Sequence, residues 1–160
     1  MRLNTLIKRV EKARSEVMAM VRSACELPSV QKWIVDANKE QLSEGVNANG
    51  VLMNGGVYSP TSVRMRARMG LPVDHVYLSY EGDMQAGMQV EYSDTGFSVV
   101  TTDWKQRLVD EAMRTGYWPS SGYNDPEYGP VFGLTEAKKG ELARKIAPMV
   151  ARRVRRRMVN

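Results

Sequence analysis

Leu3, Leu6, Ile7, Val10, Ala13, Val17, Val21 and Ala24 recur at steps of three and four, with charged residues on the opposite side. That spacing predicts an amphipathic helix of about six turns. Leu27-Pro28 breaks the pattern, and Pro28 suits the first turn of a second helix, where its missing N–H would have no helical partner. Trp33, Ile34, Ala37, Gln41 and Leu42 carry that helix on to Gly45, a residue able to take the left-handed conformation that ends helices. An angled helical pair is therefore expected over residues 1–45.

The periodicity then stops. Residues 45–56 read Gly-Val-Asn-Ala-Asn-Gly-Val-Leu-Met-Asn-Gly-Gly, and Asn-Gly at 49–50 and 54–55 marks turns, so a hairpin or flexible loop is expected. Ser59-Pro60 opens a short helix as N-cap and first residue. Arg64, Arg66, Arg68 and Gly70 close it, and Leu71-Pro72 forces an extended exit. Alternating apolar and polar positions predict strands at 76–80, 84–92 and 97–102, with Glu81-Gly82-Asp83 and Ser93-Asp94-Thr95-Gly96 as turns. Trp104 to Arg114 reads as a helix capped by Asp103.

Residues 116–130 hold Gly116, Pro119, Gly122, Pro126, Gly129 and Pro130 together with Tyr117, Trp118, Tyr123 and Tyr128, and read as an irregular aromatic loop. Thr135 caps a last helix, 135–158, with Leu142, Ile146, Met149, Val150, Val154 and Met158 on one side. Pro148 predicts a kink or restart near Ala147. The fold class that follows is α+β: an antiparallel sheet near 76–102 packed by long N- and C-terminal helices, in one domain over 1–160.

Charge sharpens this picture only at one end. Residues 136–160 carry nine basic against two acidic side chains, +7, whereas the preceding 135 residues hold 14 against 16. A nearly neutral body with a basic tail points to a polyanion or an acidic protein surface. Arg2, Lys8, Arg9 and Lys12 interrupt the apolar N-terminal residues, so no export signal is expected. The longest uncharged run, Gly45 to Val63, is too full of Gly, Asn and Ser to span a bilayer, and a soluble intracellular protein, or part of something assembled inside a cell, is the default. The single cysteine and single histidine exclude a disulfide framework and any site built from several thiolates or imidazoles.

Candidate chemistry is sparse. His75 beside Asp74 invites a general-base reading, but catalytic pairs converge across a fold, and a loop histidine is the plainer account. Cys25 ends an amphipathic helix next to Glu26, whose charge disfavours a thiolate. Glu81 with Asp83, and Asp125 with Glu127, lack the spacing of a calcium loop, and no phosphate-binding glycine motif precedes a helix. No catalytic residue, metal or cofactor is expected, and the protein is not read as an enzyme. Arg64 and Arg68 share a helix face that Arg66 does not, so Arg64, Arg66 and Arg68 make a weak basic patch, and a solvated helix surface is the plainer reading of all three. Arg152, Arg153, Arg155, Arg156 and Arg157 are five arginines in six residues, suited either to phosphates or an acidic partner, or to a solvated helix end. Tyr117, Trp118, Tyr123 and Tyr128 suit base stacking, an interface or a self-packed loop, and an interface fits best because no polar binding set accompanies them.

Tyr58-Ser59-Pro60-Thr61, the basic residues after it, Gly70-Leu71-Pro72, Val76-Tyr77-Leu78, Glu81-Gly82-Asp83-Met84, a hairpin and Phe132-Gly133-Leu134-Thr135 follow one another in order. Over roughly residues 40 to 145 this order resembles small virion morphogenesis proteins of tailed bacteriophages, the tail-completion or head–tail joining group. Glu81 and Met84 stand where that family has a Thr and a Leu in its Thr-Gly-x-Leu-like turn. The resemblance implies a structural ring subunit at the neck or the top of the tail, assembled in the host cytoplasm and retained in the virion, without catalysis. It implies as partners further copies of itself and neighbouring portal, neck or tail proteins. The basic helix then faces either DNA in the channel or an acidic neighbour, and no membrane is involved.

Two surfaces are expected to make the ring contacts: Val51, Leu52 and Met53 between the Asn-Gly turns, and Tyr117, Trp118 and Tyr123. Two unlike patches imply a head-to-tail contact that closes into a cyclic homo-oligomer. The alternative function is a nucleic-acid-binding accessory protein that uses the basic C-terminal helix.

Overall fold

In a computed structural model the described residues are 3–76, 83–93, 96–104, 107, 117–118, 123–124 and 129–159. They form an α+β protein whose elements run α1 (Leu3–Cys25), α2 (Pro28–Ser43), a 3-10 turn (Met53–Gly56), α3 (Pro60–Arg68), α4 (Asp83–Ala86), β1 (Met88–Tyr92), β2 (Phe97–Thr101), β3 (Tyr117–Trp118), β4 (Tyr123–Asn124) and α5 (Glu136–Val159). The chain divides into two compact units, Met1–Lys32 with Gly140–Asn160, and Trp33–Lys139.

In the first unit, α1 forms as its periodicity dictates and stops where Pro28 begins α2. The Leu27 carbonyl accepts from Val30 and Gln31, so it starts the second helix, and Arg22 pairs with Glu26 at 3.0 Å across the last turn of the first. Ala24, Cys25, Val30, Leu142 and Ile146 are buried, whereas most of α1 before Met20 is exposed. α5 does not restart at Pro148 but stays helical through it. The carbonyl that the missing N–H leaves over belongs to Arg144, and Arg144 and Pro148 both lie on the exposed side, where water can serve it.

The second unit opens with a complete glycine stop. Val46 N–H bonds to the Gln41 carbonyl at 2.9 Å and Gly45 N–H to that of Leu42 at 3.2 Å, with Gly45 at φ +74°. This is the paired closure of a Schellman motif, and it satisfies carbonyls the helix end would otherwise strand. Residues 45–57 then form an ordered loop: Val46 bridges Leu52, Asn47 N–H bonds to the Val51 carbonyl, and Met53 N–H to that of Gly45. Asn47 is buried, and its Oδ1 accepts from the backbone N–H groups of Asn49 and Val51. Ser59 caps α3 through Ser62 N–H, and α3 ends with Gly70 at φ +67°.

Leu42, Met53, Tyr58, Val76, Met84, Met88 and Val131 make the core of this unit, with Val35, Val63 and Phe132 against it. β1 and β2 pair antiparallel from Met88 opposite Thr101 to Tyr92 opposite Phe97, and Ser93 N–H closes the turn on the Gly96 carbonyl. The expected strand from Met84 is shorter than the alternation suggests, because residues 83–86 make a helical turn. The reason is tertiary: Met84 is buried in the core, and its carbonyl takes a hydrogen bond from Thr101 Oγ1 at 2.7 Å.

The expected aromatic loop at 116–130 contains a short antiparallel ladder, Tyr117 opposite Asn124 and Trp118 opposite Tyr123. The expected strand at 77–80 and most of the expected helix at 104–114 lie outside the described residues, as do the side chains of Tyr117, Trp118 and Tyr123.

Candidate functional site

The arginine run of α5 is not one surface. A helix turns about 100° per residue, so Arg153 and Arg157 share one face and Arg152, Arg155 and Arg156 fall beside it. Arg157 Nη1 lies 3.2 Å from Glu16 Oε2, and Arg153 Nη1 donates to the Met20 carbonyl at 3.5 Å. Together with α1 they line an open groove of about 780 Å³, whose walls include Lys12, Ser15, Ser23 and Arg156 and whose floor includes Ala19 and Met20.

Four cations, Lys12, Arg153, Arg156 and Arg157, thus face one carboxylate, Glu16. Arg152 and Arg155 lie off this groove and are exposed. Such a channel suits a phosphate chain or an acidic peptide, with contacts that weaken as salt screens them. Lys12, Ser15 and Ser23 escape the sequence reading. Their only signal is that they lie on the polar side of α1, and nothing local says that α5 runs along it.

The loop between the Asn-Gly turns divides differently from the expectation. Val51 and Leu52 are 56% and 47% exposed, but Met53 is fully buried in the core, so the expected adhesive trio is a pair. The antiparallel bridge at Leu52 and the 3-10 turn that follows carry Met53 inward while Val51 and Leu52 stay out. Val57, Met65, Met69, Val73 and Trp104 add further exposed apolar side chains in this unit.

The motif residues serve the scaffold. Arg66, expected on a helix surface, is instead buried, stacked 4.7 Å over the Tyr58 ring, with its Nε donating to the Pro72 carbonyl at 2.9 Å. Gly133 sits at φ +129°, and its carbonyl takes hydrogen bonds from Asn38 Nδ2 at 2.7 Å and Gln41 Nε2 at 2.9 Å. Gln41 Oε1 in turn accepts from Thr135 N–H at 3.0 Å, and Lys138 Nζ reaches Glu40 at 2.6 Å. Phe132 to Thr135 is therefore clamped onto α2 by buried amides. Neither Asn38 nor the clamping role of Gln41 is evident from the sequence, because their partners lie more than ninety positions away.

His75 holds two acceptors at once, the Ser43 carbonyl at Nε2, 2.6 Å, and Asp74 Oδ2 at Nδ1, 2.8 Å. Both nitrogens donate only in the imidazolium, so these partners, Ser43 first and then Asp74, raise its pKa, while the His75 hydrogen bond lowers that of Asp74. The Cys25 thiol is pushed up by burial and then by Glu26. Among the described residues, no three of His, Cys, Asp or Glu group to hold a metal ion, and no helix is long and apolar enough to cross a membrane.

No protein-family model matches the sequence, and no curated protein or solved structure matches it either.

Proposed function

We propose that the protein is a structural subunit of a tailed-bacteriophage virion, placed at the head–tail junction or the tail-completion site and working as a ring without catalysis. The observation that supports this best is the loop at 45–57. Its backbone is locked by hydrogen bonds and a buried Asn47, yet it holds Val51, Leu52 and Val57 out to solvent. Ordered backbone that presents bare apolar side chains is the form of a surface made for another protein. Further copies of the chain, in head-to-tail contact with the 117–124 ladder, are the proposed neighbours on that surface, alongside portal, neck or tail proteins.

Mass spectrometry of purified particles, with cryo-electron microscopy of the neck, tests the reading. The protein is expected in mature virions, and its absence removes the claim. Leu52→Asp and Trp118→Asp are expected to block ring assembly with helical content unchanged. Normal assembly by both variants removes those contacts.

The basic groove favours a second reading, a nucleic-acid-binding accessory protein. Neutralising several phosphates would make affinity fall by orders of magnitude from low to moderate salt. Undetectable binding to duplex and single-stranded DNA at low salt rules this reading out.

A further inference from the structure

We propose that α1 is a self-association seam through which two copies of the chain pair with their N-terminal helices antiparallel. This pairing goes beyond the virion reading and does not rest on it. Leu3, Val10, Val17 and Ala24 occupy the first position of a seven-residue repeat, and Leu6, Ala13 and Met20 the fourth. An unbroken 3-4 spacing of this length, with Val at two of the first positions, is the pattern of a two-helix seam.

Most of the seam is bare. Leu3 is 70% exposed, Val10 60% and Val17 42%, with Ile7 beside them at 45%, whereas Met20 is half-buried at the edge of the groove and Ala24 is buried. The groove to α5 uses the adjoining side of the helix, through Lys12, Glu16 and Ser23, roughly 100° around from the centre of the seam at about 100° per residue, so that Met20 and Glu16 stand at the border between the two. A helical segment of this length without tertiary cover is marginal in water, because helices draw most of their stability from a packed apolar face. α1 has 23 residues, which at about 1.5 Å each gives a seam of roughly 34 Å, long enough for three heptads.

Charge selects the partner and its direction. When two copies lie antiparallel with Leu3 level with Met20 and Val10 with Ala13, Arg9 of each copy flanks Glu16 of the other, twice by symmetry. Glu16 gives Oε2 to Arg157 of its own chain and keeps a second carboxylate oxygen for this contact. A parallel pair instead sets Arg9 beside Arg14 of the second copy, like charge against like. The helix therefore complements itself in the antiparallel sense, and a second copy is the occupant that fits.

Sedimentation velocity of the full-length protein across a wide concentration range tests this, with circular dichroism to verify helical content. Wild type is expected to pass reversibly from monomer to dimer. Val10→Glu, and Leu3→Glu at the exposed tip of the helix, should each weaken dimerisation at least about tenfold, since each places a charge in the seam. Leu52→Asp should leave the dimer constant unchanged, which separates failure of the seam from failure of the ring contacts. Arg9→Glu should weaken the dimer by about threefold or more through like-charge contact with Glu16. A tighter Arg9→Glu dimer would mean parallel pairing and overturn the proposal. So would a wild type that stays monomeric throughout, or a dimer indifferent to both seam variants.

Discussion

Truncation of Gln41 to alanine tests the amide clamp that holds residues 132–135 to α2. Gln41 is 2% exposed, its Nε2 donates to the Gly133 carbonyl, and its Oε1 accepts from Thr135 N–H. Two hydrogen bonds at about 1 kcal/mol net each give a lower figure of about 2 kcal/mol. Gly133 keeps its bond from Asn38, but Thr135 N–H loses its acceptor, and an unsatisfied donor raises the total to about 4 kcal/mol. For a chain of this size, about 3 kcal/mol corresponds to a fall in Tm of roughly 6–12 °C.

Urea unfolding with wild type and variant side by side gives the difference directly, provided the two denaturant slopes agree. Gln41→Glu adds a sharper readout. The introduced carboxylate can still accept from Thr135, yet faces the Gly133 carbonyl with no proton to donate. The folded state therefore favours the acid form and raises the pKa of that carboxyl above its unfolded value near 4.3. The stability of this variant is highest below that value and falls as pH rises through the folded pKa, a slope wild type lacks at this position. A Gln41→Ala protein within about 0.5 kcal/mol of wild type, together with a Gln41→Glu protein that shows no recovery in acid, refutes the clamp.

Gly45→Ala should cost about 2 kcal/mol or more, because Gly45 sits at φ +74° and a Cβ there overlaps the Val76 carbonyl oxygen; a variant as stable as wild type in urea would contradict this geometry. His75 has its pKa raised from an ordinary 6.5, so its contribution to stability is full below that value and is lost as pH rises through the folded pKa. Wild type should therefore be less stable near pH 8 than near pH 6, with the difference abolished in His75→Ala and readable from urea midpoints at the two pH values.

How much of this was legible depended on the range of the interaction. The apolar steps from Leu3 to Ala24, Pro28 at the head of α2, Gly45 behind it, Ser59-Pro60 and the hairpin around Gly96 are local signals, and each element stands where its signal lies. Met84 alternates like a strand residue, but core burial and Thr101 turn it into a helical segment. Met53 reads like Val51 and Leu52, its neighbours, until the bridge between Val46 and Leu52 directs it inward. Arg66 looks like surface charge because the ring of Tyr58 and the Pro72 carbonyl that receive it are set by the turn after α3. The arginines of α5 were legible as a cluster, whereas their division between a groove and open solvent depends on α1, more than a hundred residues earlier.

That separation has a consequence for biosynthesis. The contact between Met20 and Arg153 spans 133 residues, so α1 leaves the ribosome well before the segment that forms the other wall of its groove. At about 5–20 residues per second, the delay is roughly 7 to 27 seconds. Residues 33–139 carry their own buried cluster and can condense during that time, while the first helix waits with its apolar stripe bare. On a polysome, neighbouring nascent chains would display the same stripe together, so the first encounters of α1 would be between chains still being made.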